Sequence, residues 1–199
     1  MDAMYYVVRY EGSFAFIKPW TAVRDGVTYS QQFLTPSVLE GIEKKLFPEL
    51  LPLSGLQGKI CRYKLRYAAV SVQQEQTQIR GWEYKSKEKR MVRPRSVLKR
   101  GILLKPVLLL AFSTQEDAWR ATMQHICLCR NEDVLFPLST VEAIPEKDFQ
   151  KMPGFELRFG LSEQSFLVGY NRFDGNKPMY GWLEIDGNAF MGGGNDGRV

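Results

Sequence analysis

The chain has 199 residues, of which 44% are hydrophobic and 13% aromatic, with a formal net charge of +5. Three cysteines, Cys61, Cys127 and Cys129, cannot all pair and form no disulfide framework, so a reducing cytoplasm is the expected compartment. The opening MDAMYYVVRYEG lacks the layout of a secretory signal, and the longest apolar run, Gly101–Phe112, is short and broken by Lys105 and Pro106, so no membrane span is expected.

Met4–Tyr10 is rich in β-branched and aromatic residues and predicts a first strand. In the stretch that follows, Phe14, Phe16 and Trp20 alternate with Lys18 and Arg24, setting π-faces beside positive charge, and Pro19–Gln32 reads as a loop. A helix is predicted over Pro36–Phe47. Thr35 caps it, Pro36 fits its first turn, and Ser37 with Glu40 has capping-box spacing. Val38, Leu39, Ile42 and Leu46 form its apolar face. Lys59–Val72 alternates polar with apolar residues (Ile60, Tyr63, Leu65, Tyr67, Ala69), as a half-buried strand does.

Ile102–Phe112 is apolar enough for a central strand, and Ser113–Glu116 is a second capping box opening a helix with Ala118, Trp119, Thr122, Met123 and Ile126 on one side. Val134–Val141 completes the order strand, helix, strand, strand, helix, strand, which predicts an α+β fold with a ferredoxin-like (RRM-like) βαββαβ core. Further strands are expected at Phe155–Leu161, Phe166–Tyr170 and Met179–Phe190, the last bent at Gly187.

Charge is concentrated between the second and third predicted core strands. From Arg80 to Arg100, nine cations minus two carboxylates leave +7, so the rest of the chain is slightly acidic. Turning a hairpin takes about two to five residues, so this long charged insertion has another use. Trp82 and Tyr84 within it add stacking surfaces. Rings among cations suit single-stranded nucleic acid, whose bases stack while its phosphates meet lysine and arginine. The Cys127-x-Cys129 pair beside His125 lacks a second histidine and a CxxC, so neither metal nor cofactor is expected.

These segments, taken in order, resemble the CRISPR-associated RAMP proteins of the Cas-five group, nearest to subtype I-C. The residues that carry the resemblance are Phe14-Ala15-Phe16 through Pro19, Tyr29-Ser30, Thr35-Pro36-Ser37 with Gly41-Ile42, and Cys127-Leu128-Cys129-Arg130 through Pro137. They continue with Tyr170-Asn171-Arg172-Phe173-Asp174, Pro178-Met179-Tyr180 and Glu184–Gly187. The likeness runs from Met4 to Phe190. It implies a ferredoxin-like RAMP domain over 1–145 with a basic hairpin finger at about 74–100 and a small C-terminal antiparallel β subdomain over 146–191, while the glycine-rich run from Gly192 predicts a flexible tail over 192–199. It also implies a subunit of a Cascade-type effector complex that grips the 5′ handle of crRNA. Such a subunit would touch a backbone RAMP subunit and the large subunit, and meet target DNA through the complex.

Catalytic relatives use a tyrosine at the end of the first helix and a lysine–histidine pair in the finger. Here the tyrosine position holds Phe47, and the finger has no histidine. The sole imidazole, His125, is expected to be a packing or surface residue. A non-catalytic binding subunit is therefore expected. A metal-independent endoribonuclease and a scaffold with a basic interaction loop are the alternatives. The expected phosphate contacts are Lys18, Arg24, Lys85, Lys87, Lys89, Arg90, Arg93, Arg95, Lys99, Arg100 and Arg130, with the helix N-terminus at Ser37. Trp20, Tyr29, Trp82 and Tyr84 are the expected stacking residues, and Gln31, Gln32 and Asn171 the polar readers.

Overall fold

The computed structural model describes residues 3–19, 26–78, 81–171 and 175–191. Its first part comprises β1 (Met4–Glu11), β2 (Phe14–Ala15), β3 (Val27–Tyr29), helix α1 (Pro36–Leu46) and β4 (Ile60–Arg66). Next come β5 (Ala69–Gln78), β6 (Glu83–Lys85), β7 (Arg90–Val92), β8 (Arg95–Leu104), β9 (Val107–Phe112) and helix α2 (Gln115–Ala121). The chain continues through β10 (Ile126–Cys127), β11 (Val134–Pro145), the short helix α3 (Glu146–Gln150), β12 (Gly154–Phe159), β13 (Phe166–Asn171) and β14 (Lys177–Asp186). The architecture is α+β, mostly antiparallel sheet with few helices. Among the described residues no helix is long and apolar enough to cross a membrane.

The main sheet has the order β10-β11-β1-β9-β4-β12-β14-β13. Strict alternation along β1 and β9 gives it two buried faces. Val8, Tyr10, Leu108, Leu110 and Phe112 meet Leu39, Ile42 and Leu46 of α1 and Ala118 and Ala121 of α2. On the other face Val7, Val107, Leu109 and Ala111 lie under Phe149 of α3. Two buried hydroxyls tie layers together. Tyr10 donates to the Ala121 carbonyl at 2.5 Å. Tyr63 donates to the Leu34 carbonyl and accepts from the Leu34 and Leu157 amides.

Both expected capping boxes are rearranged. Thr35 is the N-cap of α1 with Pro36 behind it, but its hydroxyl bonds Ser37 Oγ, and Glu40 is taken by Lys44 and the Gly55 amide. At α2 the box is one residue later, Thr114 accepting from the Asp117 amide while its hydroxyl donates to that carboxylate. Trp119 sits on the outer side of α2, away from buried Ala118 and Ala121, and because the helix ends at Ala121, Met123 stays exposed and Ile126 enters a strand.

The expected strand Lys59–Val72 divides at Tyr67-Ala68 into β4 and β5, and Ile102–Phe112 divides at Lys105-Pro106 into the end of β8 and β9. Nor is β4 half-buried. Arg62 and Lys64, expected to face solvent, are enclosed because β12 and β14 bring carboxylates to them. Arg62 forks onto Glu156 with two bonds of 2.7 Å, and Lys64, with no side-chain exposure, reaches Asp186 at 2.5 Å and Glu156 and Glu184 at 3.6 Å. Burial opposes the Arg62 charge, but the bonded Glu156 carboxylate outweighs it and holds the guanidinium pKa above its ordinary value. The C-terminal strands therefore extend the main sheet across β4 rather than forming a sheet of their own. Stacking of Tyr67 on Phe155, with Phe190 edge-on to both, secures the opposite face.

Lys64→Met removes the ammonium shared by Glu156, Glu184 and the part-exposed Asp186, and urea unfolding should show a loss of about 1–3 kcal/mol. A second expectation concerns pH. Burial raises the Tyr10 and Tyr63 phenol pKa values above the ordinary 10.0. The folded state thus holds both protons after the unfolded state has released them. Stability should be full below pH 10 and fall above it, steeply enough to follow by chemical unfolding at stepped pH. Tyr10→Phe should flatten that fall.

Candidate nucleic-acid interface

The two central strands β4 and β9 continue out of the main sheet as an arm. β5 and β8 pair without a break from Ala69↔Leu104 to Gln78↔Arg95, and β6 and β7 pair beyond them from Glu83↔Val92 to Lys85↔Arg90. The arm thus starts at Ala69 and returns at Leu104, longer than the 74–100 expected. At its root β2 and β3 add to the other edge of β8. The tip turn is made possible by Lys89 in the left-handed region, φ 47°.

The described cations expected to meet phosphate on and around the arm fall into two groups. Near the root, Arg100 and Arg130 lie on Phe16, each guanidinium carbon 5.4 Å from the ring centroid. Arg100 is 3.4 Å from Glu75, and Arg130 grips Asp133 at 2.7 and 2.9 Å. Asp133, fully buried, also accepts from the Phe16 and Arg130 amides, and its bonds hold the Arg130 pKa above the ordinary guanidinium value. These two expected phosphate contacts are occupied in holding the root together. Toward the tip, Lys85 and Arg90 share Glu88 at the turn. Lys87, Lys89, Arg93, Arg95 and Lys99 form no ion pair among the described residues, Arg93 lying instead over Trp82 at 4.8 Å.

Trp82 (57% exposed), Tyr84 (61%) and Met91 share with Arg93 one face of the tip, as strand alternation and the Tyr84↔Met91 pairing require. Further in, Val72, Val97 and Lys99 occupy a second exposed face that ends at Tyr29. Gly101 is what lets Tyr29 lie there, since a Cβ on residue 101 would come within 2.1 Å of Tyr29 Cδ1. Lys18 is exposed near the root. At Ser37 the Val38 and Leu39 amides are already bonded to the Thr35 carbonyl, which narrows what that helix end offers a phosphate. Gln31 is buried and donates to the Phe33 carbonyl. Trp20 and Arg24, together with Arg80, lie outside the described residues, as does the side chain of Asn171.

Phe47 is wholly buried against Phe112 beneath Lys59 and Arg120. His125 is exposed beside Phe136. The three cysteines are free, and among the described residues no three His, Cys, Asp or Glu side chains gather as a metal-binding group. No local pattern marks Glu75, Glu88 and Asp133 as regulators of these cations, because their partners are remote in the chain or across a turn. The chain matches no known protein family and no curated protein.

Gly101→Ala should force Tyr29 off the arm and destabilise the protein by about 1–3 kcal/mol in urea unfolding. Adding Tyr29→Ala should recover most of that loss, a coupling that two independent sites would not show.

Proposed function

We propose that this chain is an RNA-gripping subunit of a Cascade-type CRISPR effector complex, of the Cas-five RAMP kind, holding the 5′ handle of crRNA without cutting it. The observation that carries the proposal is the arm: a projecting hairpin on which Lys87, Lys89, Arg93, Arg95 and Lys99 form no ion pair among the described residues, with Trp82 and Tyr84 exposed at its tip. Aromatic rings take unstacked bases, and flanking lysine and arginine take phosphates. The antiparallel order β11-β1-β9-β4, with α1 and α2 on one face, also supports a ferredoxin-like core, since that fold places its four strands in the order 4-1-3-2. On this proposal the protein works in the cytoplasm beside a backbone RAMP subunit and a large subunit. It meets target DNA only through the assembled complex.

Replacing Lys87, Lys89, Arg95 and Lys99 together by alanine should weaken binding of a single-stranded RNA on the order of a hundredfold in low salt. The salt slope should shrink by about 0.7 for each phosphate that is no longer neutralised. Fluorescence anisotropy across a salt titration reads both quantities. Unchanged affinity in the quadruple variant would reject the arm as the grip, and a specific product from repeat RNA in chelator would favour the endoribonuclease. Binding of an acidic peptide in preference to RNA would favour the scaffold.

A further inference from the structure

Where the arm leaves the main sheet the surface opens into a cleft of about 540 Å³, within the usual range for small-molecule sites. Three corners of the chain enclose it: Gly12 and Ser13 between β1 and β2, Lys105 between β8 and β9, and the start of β11. Their closeness depends on two backbone features. A Cβ on residue 12 would sit 2.5 Å from Leu135 Cδ2 and 2.6 Å from the Val134 carbonyl oxygen, so only glycine fits. Lys105 occupies the left-handed region, φ 47°, with its amide bonded to the Ser13 carbonyl at 2.9 Å.

The cleft carries two aromatic rings, one ammonium and two carboxylates. Phe14 and Phe136 line it, and Phe136 is 63% exposed on β11. His125 flanks Phe136, ring centroids 6.0 Å apart. Glu11 is held in place by Arg9 and Glu132 by Arg130 at 3.3 Å, yet a carboxylate so held keeps lone pairs for a further donor. Lys105 supplies the cation.

We infer that this cleft is a subsite for one unstacked nucleobase that bears an exocyclic amino group. The base lies on Phe136, its amino N–H donates to Glu132 or Glu11, and Lys105 meets the adjoining phosphate. Uracil has only its N3–H to donate, flanked by two carbonyl oxygens that a carboxylate repels, whereas adenine offers an unflanked amino N–H, so carboxylate acceptors disfavour uracil. The inference rests on the RNA-binding proposal and adds base selection at a place remote from the arm's tip.

The test uses three labelled RNAs of twelve nucleotides: all uridine, uridine with one central adenosine, and uridine with one central abasic nucleotide. The intact protein should bind the adenosine RNA about tenfold more tightly than either of the others. Phe136→Ala, a change at an exposed ring, should remove that preference, bringing the adenosine RNA to the affinity of the all-uridine RNA. Lys105→Ala should weaken all three alike. Equal binding of the three RNAs by the intact protein overturns the subsite while the arm proposal stands, as does a preference that survives Phe136→Ala. Failure to bind any of them overturns both.

Discussion

Lys64 has none of its side chain in water, and the fold is arranged around making that tolerable. An ammonium in an apolar interior is strongly unfavourable unless it is paired and hydrogen-bonded. Asp186, Glu156 and Glu184 do the pairing, and they come from strands distant in sequence from β4. Arg62 extends the network through its fork onto Glu156. Backbone pairing between β4 and β12 is confined to the neighbourhood of Phe155 and Leu65, so these charges and the Tyr67–Phe155–Phe190 cluster are what weld the C-terminal strands to the sheet.

The same strand roots the arm. β4 runs into β5 and β9 is fed by β8, so two strands of the buried sheet become a projection with only a short corner at each crossing. Rigidity at the root comes from charges that cancel: Arg100 and Arg130 around Phe16, with Glu75 and Asp133 against them. Farther out only Glu83 and Glu88 stand against Lys85, Lys87, Lys89, Arg90, Arg93 and Arg95. Local positive potential therefore grows toward the tip, where a polyanion would meet it first. That gradient, rather than the total charge of +5, is the physical basis of the nucleic-acid proposal.

Much of the secondary structure was legible. The first strand, the Pro36 helix and the strands at Phe155 and Phe166 fall where alternation and a proline at the first turn put them, whereas the last strand stops at Asp186, because Gly187 in the left-handed region ends it instead of bending it on to Phe190. Places where the sequence misled share a cause. Arg62 and Lys64 look like solvent-facing residues of an amphipathic strand because local alternation cannot show a carboxylate arriving from residue 156 or 186. Glu40 and Ser37 have the spacing of a box, but the Gly55 amide and Lys44 compete for the same carboxylate. Likewise Arg130 reads as an available cation until Asp133 is seen folded beneath it.

By itself the sequence determined that positive charge and aromatic rings are concentrated between two core strands, because composition along a chain does not depend on how it folds. It also determined most element types, since periodicity and turn chemistry act over a few residues. Tertiary structure alone decided which cations stay open, where β4 and β9 leave the sheet to become the arm, and that Phe14, Phe136 and Lys105 border one cleft. Those outcomes depend on pairings between residues far apart in the chain, and no local pattern encodes the distance between them.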